Sequence, residues 1–118
     1  MDRRAIGQQA EERAARLLVA AGATILLRNY RCRLGELDIV ARHGPVLAIV
    51  EVRLRASAAF GGAGASVTRT KQQRIVRATR HLLARQPGLQ RLPVRFDVVL
   101  IADPDAPPEW IRAAFDAA

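Results

Sequence analysis

Three short apolar segments follow one another with very few residues between them, and this spacing restricts the fold more than any other feature. The segments are residues 23–31, 36–42 and 46–54, separated by breaks at 33–35 and 42–45. Breaks of this length join neighbouring antiparallel strands, because a parallel connection needs a dozen or more residues. The sequence therefore predicts an antiparallel meander of three strands.

A long amphipathic segment follows the meander and separates it from a fourth strand. Residues 68–86 have helical periodicity, with Thr68 as a suitable N-cap and Pro87-Gly88 directly beyond. The next apolar segment, VRFDVVLIA, covers 94–102. A helical crossover allows the strand that follows it to enter the sheet parallel to a neighbour. We therefore expect a mixed sheet.

Two further helices are predicted at the ends of the chain. Residues 8–21 have an alanine- and leucine-rich apolar face. Residues 103–117 are interpreted as a short amphipathic helix that packs Trp110 and Phe115 on the sheet edge. The predicted order is α-β-β-β-α-β-α, and the length of the chain, 1–118, favours a single domain.

The charge of the chain points to a polyanionic partner. There are 19 Lys and Arg residues against 11 Asp and Glu, which gives a formal net charge of +8. Such a surface attracts nucleic acid or an anionic membrane. The alternative is an arginine-rich composition without functional meaning.

Cysteine usage and hydropathy indicate a cytoplasmic protein. The single Cys32 cannot form an intramolecular disulfide, which fits a reducing compartment. The N-terminus lacks the apolar region of a signal peptide. The longest uncharged apolar stretch, residues 17–27, is far shorter than the roughly 20 residues of a membrane helix, so no membrane contact is expected.

Acidic side chains interrupt two of the predicted strands. Glu36 and Asp38 lie on the second strand and Glu51 on the third, followed by Arg53 and Arg55. Carboxylates that meet across a hairpin repel unless a proton or cation separates them, and Mg²⁺ or Mn²⁺ with oxygen ligands is the common solution. The alternative is a set of salt bridges with the neighbouring arginines. Spacing alone leaves both interpretations open.

The helix over 68–86 has a basic face without any acid. The residues expected to contact phosphate are Arg69, Lys71, Arg74, Arg77 and Arg80. A solvated helix face is the alternative. The glycine-containing segment 56–66 is predicted as a loop, either a flap over a site or a slack connection.

Several sequence blocks together resemble a known family. NYRCRLGELDIV, IVEVRLR, VTRTKQQRI, RFDVVLI and EWIRAAF occur in this order, and the resemblance covers about residues 7–115. The chain resembles the YraN-like family of uncharacterised bacterial proteins, which is similar to the restriction-endonuclease-like superfamily with its PD-(D/E)xK motif. The related proteins include Holliday-junction resolvases and transfer-RNA splicing endonucleases. The resemblance implies an αβββαβ core with a mixed sheet flanked by helices.

The resemblance also implies a metal site. Asp38 and Glu51 match the two motif acids as ligands of Mg²⁺ or Mn²⁺, and the carbonyl of Val52 would be a further ligand. Glu11 matches an acid on the first helix that completes such sites, and helical periodicity places it at the edge of the apolar face. Gln72 matches a polar residue at the start of the second helix.

One position departs from the motif, and it decides between two functions. Where the motif has Lys, this chain has Arg53, which stays protonated and cannot act as a base. Arg53 would contact the scissile phosphate or pair with an acid, and Lys71 would supply an ammonium from the helix or remain a solvated charge. The implied catalytic set is Asp38, Glu51, Arg53 and Gln72. The expected function is a nucleic-acid-binding protein, either a Mg²⁺-dependent endonuclease on branched or structured DNA or a noncatalytic module that binds nucleic acid or protein. Whether it acts as a monomer or a dimer stays open.

Overall fold

A five-stranded mixed sheet with a helix on each face forms the protein. The structure is a computed structural model and describes residues 3–54 and 67–117. The elements are α1 (Arg3–Ala20), β1 (Thr24–Cys32), β2 (Gly35–His43), β3 (Val46–Leu54), α2 (Arg69–Arg85), a short 3₁₀ helix (Pro87–Leu89), β4 (Val94–Ile101) and β5 (Glu109–Phe115). The strands lie in the order β1-β2-β3-β4-β5. The predicted α/β class with a mixed sheet is confirmed.

The strand directions follow from the lengths of the connections. β1, β2 and β3 pair antiparallel through short turns, as the meander predicts. β4 pairs parallel to β3 after the crossover through α2. Thr68 is the N-cap of α2, since its side chain accepts a hydrogen bond from the backbone N–H of Lys71 at 3.1 Å. The predicted loop over 56–66 lies outside the described residues.

Two apolar clusters cover the two faces of the sheet. On one face, Ile75, Val76 and Leu82 of α2 pack against side chains of all five strands. On the other face, Ala14 and Leu18 of α1 pack against a smaller cluster of β-branched and small side chains. Neither helix of the described residues is long and apolar enough to cross a membrane.

The prediction of a helix at the end of the chain is wrong, because this segment forms β5. Asp97 on β4 is fully buried and accepts hydrogen bonds from Trp110 Nε1 and the backbone N–H of Ala113, both at 3.0 Å. Ala113 has a φ of 51°, and the β4–β5 register shifts beside it. Trp110 packs on the α1 face and Phe115 on the α2 face, so these side chains do lie at the sheet edge.

The ladder between β2 and β3 is shorter than the strands themselves. Its last pair is Ile39 with Val50. Beyond that pair, β2 remains paired with β1 down to Gly35, and β3 remains paired with β4 up to Leu54. We call this open end of the hairpin the fork. Its first two residues are Asp38 and Glu51.

Candidate active site

The two carboxylates of the fork replace the missing ladder hydrogen bonds. The backbone N–H of Asp38 donates to Glu51 Oε2 at 3.3 Å. The backbone N–H of Val52 donates to Asp38 Oδ2 at 2.9 Å. Each acid thus bonds the backbone of the opposite strand, and the two side chains are held side by side. The structure brings together the two acids that the sequence singled out.

Burial changes the acidity of this pair. Glu51 is 1% exposed, and burial, followed by the charge of Asp38, raises the pKa of Glu51 to about 8. Burial also raises the pKa of Asp38, while the hydrogen bond from Val52 and the charge of Lys71 act in the opposite direction. Two adjacent acids in this setting ionise together only with difficulty unless a cation is close.

Lys71 of α2 is the cation that reaches Glu51. Its Nζ lies 3.8 Å from Glu51 Oε1, and its side chain is 39% exposed. Within the described residues, Glu51 Oε1 is buried and accepts no hydrogen bond. Gly35 allows α2 to pack closely against β2, because a Cβ at this position would lie 3.0 Å from the backbone oxygen of Arg74 on α2.

Gln72, the other polar residue expected from the start of α2, has a contact within its own segment. Its Nε2 donates to the carbonyl of Val67 at 2.9 Å. It also lines a cavity of about 110 Å³ with Arg69 and Asp116. These contacts link Gln72 to the start of α2 and to the end of the chain, and its part in catalysis stays a prediction.

Glu11 faces the site from α1, as its helical position predicts. Its side chain is 12% exposed. Its Oε1 accepts hydrogen bonds from Arg28 Nε and Asn29 Nδ2, both at 3.0 Å. Asn29 has a φ of 55°, a left-handed conformation that asparagine adopts more readily than most residues. Glu11 and Asp38 line the same concavity. Oε1 of Glu11 is already hydrogen-bonded there.

Two grooves flank the fork, one on each face of the sheet. The α1 groove has a volume of about 710 Å³, and its polar lining includes Arg4, Gln8, Glu11, Arg31, Asp38 and Arg53. The α2 groove has a volume of about 560 Å³, and its lining includes Arg31, Glu36, Thr68, Thr70, Lys71 and Arg74. Because Arg31 lines both, the grooves meet around the end of β1. Each groove contains several cations, and the α1 groove is also lined by the carboxylates of Asp38 and Glu11.

Arg53 lies on the α1 side of the fork. It lines the α1 groove with Asp38 and Glu11. Its Nε is buried and has no hydrogen-bond partner among the described residues. Glu51 forms an ion pair with Lys71. The arginine at the motif position thus faces the groove with a donor still available.

The remaining basic residues of α2 do not share one concavity. Arg69, Arg74, Arg77 and Arg80 are exposed. Arg74 and Lys71 line the α2 groove, whereas Arg80 lines a cavity of about 440 Å³ between α2 and the last two strands. The basic surface therefore extends around α2, and its part closest to the acids is formed by Lys71 and Arg74.

The donor set fits a hard divalent cation in its chemistry. Asp38, which is half-buried, and Glu51, which is buried, present adjacent carboxylates, and Glu51 Oε1 lacks a hydrogen-bond donor within the described chain. Within residues 3–54 and 67–117, no group of three or more His, Cys, Asp or Glu side chains is assembled as a metal site. Further oxygen ligands would therefore come from the backbone, such as the Val52 carbonyl, and from water. Glu36 pairs with exposed Arg31 at 3.3 Å, the salt-bridge role expected for it.

Sequence reasoning missed a second buried polar cluster, on β4 and β5, where Asp97 pairs with Val50 of the neighbouring β3. Asp97 accepts two hydrogen bonds from Arg95, at 2.8 and 2.9 Å, besides those from β5. His43 lies against Trp110, with ring centroids 4.8 Å apart. The guanidinium carbon of Arg112 lies 4.4 Å from the centroid of the Trp110 ring. An acid within the apolar stretch RFDVVLI is the same signal that identified the fork, and it could have located this cluster. Its hydrogen bonds secure β5.

Comparisons with known proteins agree over nearly the full chain. A model of the uncharacterised protein family UPF0102 matches residues 10–101, a span that contains the whole fork. A UPF0102 protein of Saccharophagus degradans is 51% identical over 109 residues, covering 92% of this chain and 91% of the relative. A UPF0102 protein of Nitrosomonas europaea is 48% identical over 111 residues, covering 93% and 92%. One of Legionella pneumophila is 40% identical over 111 residues, covering 94% of each chain.

Proposed function

This chain belongs to the uncharacterised protein family UPF0102, the YraN family that its sequence resembles, and we propose that it is a nucleic-acid-binding phosphodiesterase with its active site in the fork. The substrate class is branched or otherwise structured DNA, and the required cation is Mg²⁺ or Mn²⁺. The observation that carries the proposal is the adjacent pair of half-buried Asp38 and buried Glu51 beside two cationic grooves.

The metal requirement follows from the electrostatics of the pair. Burial raises the pKa of both acids, and a divalent cation between them would offset both the burial and their mutual repulsion. Asp38, Glu51 and the Val52 carbonyl would hold it, with Glu11 facing the same groove. The cation would supply Lewis-acid polarisation of a phosphate.

The preference for nucleic acid rests on the charge around the fork. Arg4, Arg31 and Arg53 line the α1 groove, and Lys71 and Arg74 line the α2 groove. Cations so arranged bind a phosphate backbone by neutralising its charge and releasing counterions, with little readout of sequence. Shape would then select the substrate, which favours branched DNA over a particular sequence.

Metal binding is the primary test of the site. We expect Mn²⁺ to bind in a millimolar titration, followed by calorimetry or electron paramagnetic resonance, and Asp38→Asn to abolish binding. Asp105→Asn is the matched control, because this acid is exposed in a turn far along the chain. Binding to Asp38→Asn with wild-type affinity would show that the site assignment is wrong.

A noncatalytic nucleic-acid-binding module is the second candidate, and Arg53 is the observation in its favour. Arginine at this position stays charged and cannot take a proton from water. Wild type and Arg53→Lys should be compared on branched, flapped and linear DNA and on RNA, with Mn²⁺ present. The phosphodiesterase proposal expects cleavage by the wild type. Binding without cleavage by either protein would support the noncatalytic module.

A further inference from the structure

The flank of α2 opposite the α2 groove borders a largely apolar cavity, which we call the β5 cavity. Its volume is about 440 Å³, within the range of ligand pockets, which is roughly 300–1,000 Å³. The α2 groove opens toward β1 and β2, and the β5 cavity opens toward β4 and β5 on the same face of the sheet. Neither Asp38 nor Glu51 lines the β5 cavity, so it is separate from the fork.

The side chains of the β5 cavity match the chemistry of a nucleobase. Phe115 is half-buried and stacks on Phe96, with ring centroids 5.1 Å apart. Both rings line the cavity, and its wall on α2 includes Val76 and Leu83. Aromatic side chains bind the flat face of any base. Asp116, an exposed acid, also lines the cavity, and a carboxylate accepts hydrogen bonds from an amino group at the edge of a base.

A row of arginines crosses α2 from the α2 groove to the β5 cavity. Arg74 lines the groove, Arg80 lines the cavity, and Arg77 lies three residues from each. Residues three apart are neighbours on a helix surface, and such a row runs obliquely across the helix axis. All three arginines are exposed, α2 contains no acid, and none of the three forms an ion pair within the described residues. Phosphates along the row would offset the mutual repulsion of these charges.

We propose that an unpaired strand of DNA crosses α2 along Arg74, Arg77 and Arg80 and places one base in the β5 cavity, stacked on Phe115. The inference rests on the proposed function and specifies its substrate as DNA with a single-stranded arm. The aromatic wall stacks with any base, and Asp116 adds a contact to bases that have an amino group. The charge of the row selects a polyanion over a second copy of this chain, whose formal net charge is +8.

Removal of single bases tests the β5 cavity while the backbone charge of the DNA stays constant. The probe is a duplex with a single-stranded tail of about eight nucleotides, and its Kd is measured by fluorescence anisotropy with chelator present, so that cleavage does not interfere. For the wild type we expect one tail position at which removal of the base raises the Kd by about tenfold. Phe115→Leu should reduce this effect to less than about threefold, and Phe115→Tyr, which keeps an aromatic ring, should retain it.

Arg80→Ala and Arg85→Ala form a matched pair that tests the arginine row. Both residues are exposed on α2, and Arg85 lines neither groove and neither of the two cavities beside α2. Arg80→Ala should weaken binding of the tailed DNA by a few-fold and lower the slope of log Kd against log salt concentration by about one unit. Arg85→Ala should leave this slope unchanged. Circular dichroism checks that each variant keeps the fold.

The outcomes separate this inference from the proposed function. If no tail position depends on its base, or if Phe115→Leu shows the same dependence as the wild type, the base site is overturned while DNA binding stands. Equal salt slopes for the two arginine variants would overturn the row. A wild type that forms dimers, with Phe115→Leu monomeric, would assign the cavity to a second copy and overturn the inference. Absence of DNA binding by the wild type on every substrate would overturn the proposed function together with it.

Discussion

At Glu51, burial and the neighbouring negative charge of Asp38 both raise the pKa of the side chain. The side chain is 1% exposed, one oxygen accepts a backbone hydrogen bond from Asp38, and the other faces Lys71. Both burial and the charge of Asp38 favour the protonated carboxyl, which places the pKa of Glu51 at about 8. The folded state is therefore destabilised whenever Asp38 and Glu51 are both ionised.

This raised pKa predicts how stability depends on pH without divalent cations. The folded pKa of Glu51 is about 8 and the ordinary value is 4.5, so the folded state holds a proton that the unfolded state loses between these values. The free energy of unfolding therefore falls as pH rises from about 4.5 through about 8, by a few kcal/mol in total. Urea unfolding at pH 5.5, 7 and 8.5 in the presence of chelator measures the decline.

Glu51→Gln is the matched variant for this prediction. It keeps the shape of the side chain and the acceptor for the Asp38 N–H, but it cannot ionise. We expect a flatter pH dependence than in the wild type and a gain in stability at pH 8.5. If the free energy of unfolding of Glu51→Gln fell as steeply with pH as that of the wild type, other groups would be responsible for the pH dependence.

The sequence identifies the acids of the fork more readily than the cation that faces them. Asp38 and Glu51 are conspicuous because a carboxylate inside an apolar strand needs a partner. Lys71 belongs to a helix that is basic around much of its surface, and helical periodicity does not distinguish it from a solvated charge. The close approach of α2 to Gly35 decides its position, and that approach is a property of tertiary packing.

Among the elements, β5 is hydrogen-bonded to one buried side chain of the neighbouring β4, Asp97. Asp97 accepts hydrogen bonds from Trp110 Nε1 and the Ala113 N–H on β5, and from Arg95 on its own strand. These contacts hold a strand of seven residues whose register is interrupted. β5 pairs with β4 as the last strand in the sheet order. Its attachment thus combines these polar contacts with the packing of Trp110 and Phe115 on the two faces of the sheet.

Asp97→Ala should destabilise the protein by about 3–5 kcal/mol, because it removes a fully buried carboxylate and leaves the part-buried donors on Arg95, Trp110 and Ala113 without their acceptor. Denaturant unfolding measures the loss, and hydrogen exchange should show the largest increase at the backbone of β5. Asp105→Ala, in an exposed turn, serves as the control. A loss below about 1 kcal/mol would mean that apolar packing alone retains the strand.

The terminal segment shows why local pattern can assign the wrong element. EWIRAAF has apolar residues at both helical and alternating positions, and short apolar stretches do not distinguish the two. The hydrogen bonds to Asp97 and the left-handed Ala113 decide in favour of a strand, and neither is visible in local periodicity. By contrast, the first three strands and α2 were predicted within one or two residues, since turns and a cap delimit them.

Across the whole molecule, the charged side chains of the fork and those between β4 and β5 are arranged in different ways. At the fork, two acids lie between grooves lined by five cations, Arg4, Arg31, Arg53, Lys71 and Arg74. Between β4 and β5, Arg95 and Asp97 form an ion pair that packs with His43 and Trp110. Part of the net charge of +8 is therefore concentrated beside the candidate site, a distribution that the total charge alone does not predict.

The hairpin that contains the fork also has a consequence for the order in which the chain folds. Asp38 and Glu51 are 13 residues apart and are joined through a tight turn, whereas Lys71 belongs to the crossover helix α2, later in the chain. Hairpins close within about 1–10 μs, and local contacts form before distant ones. The acids therefore meet before their ammonium partner arrives, so the hairpin closes most readily while one carboxyl group still holds its proton.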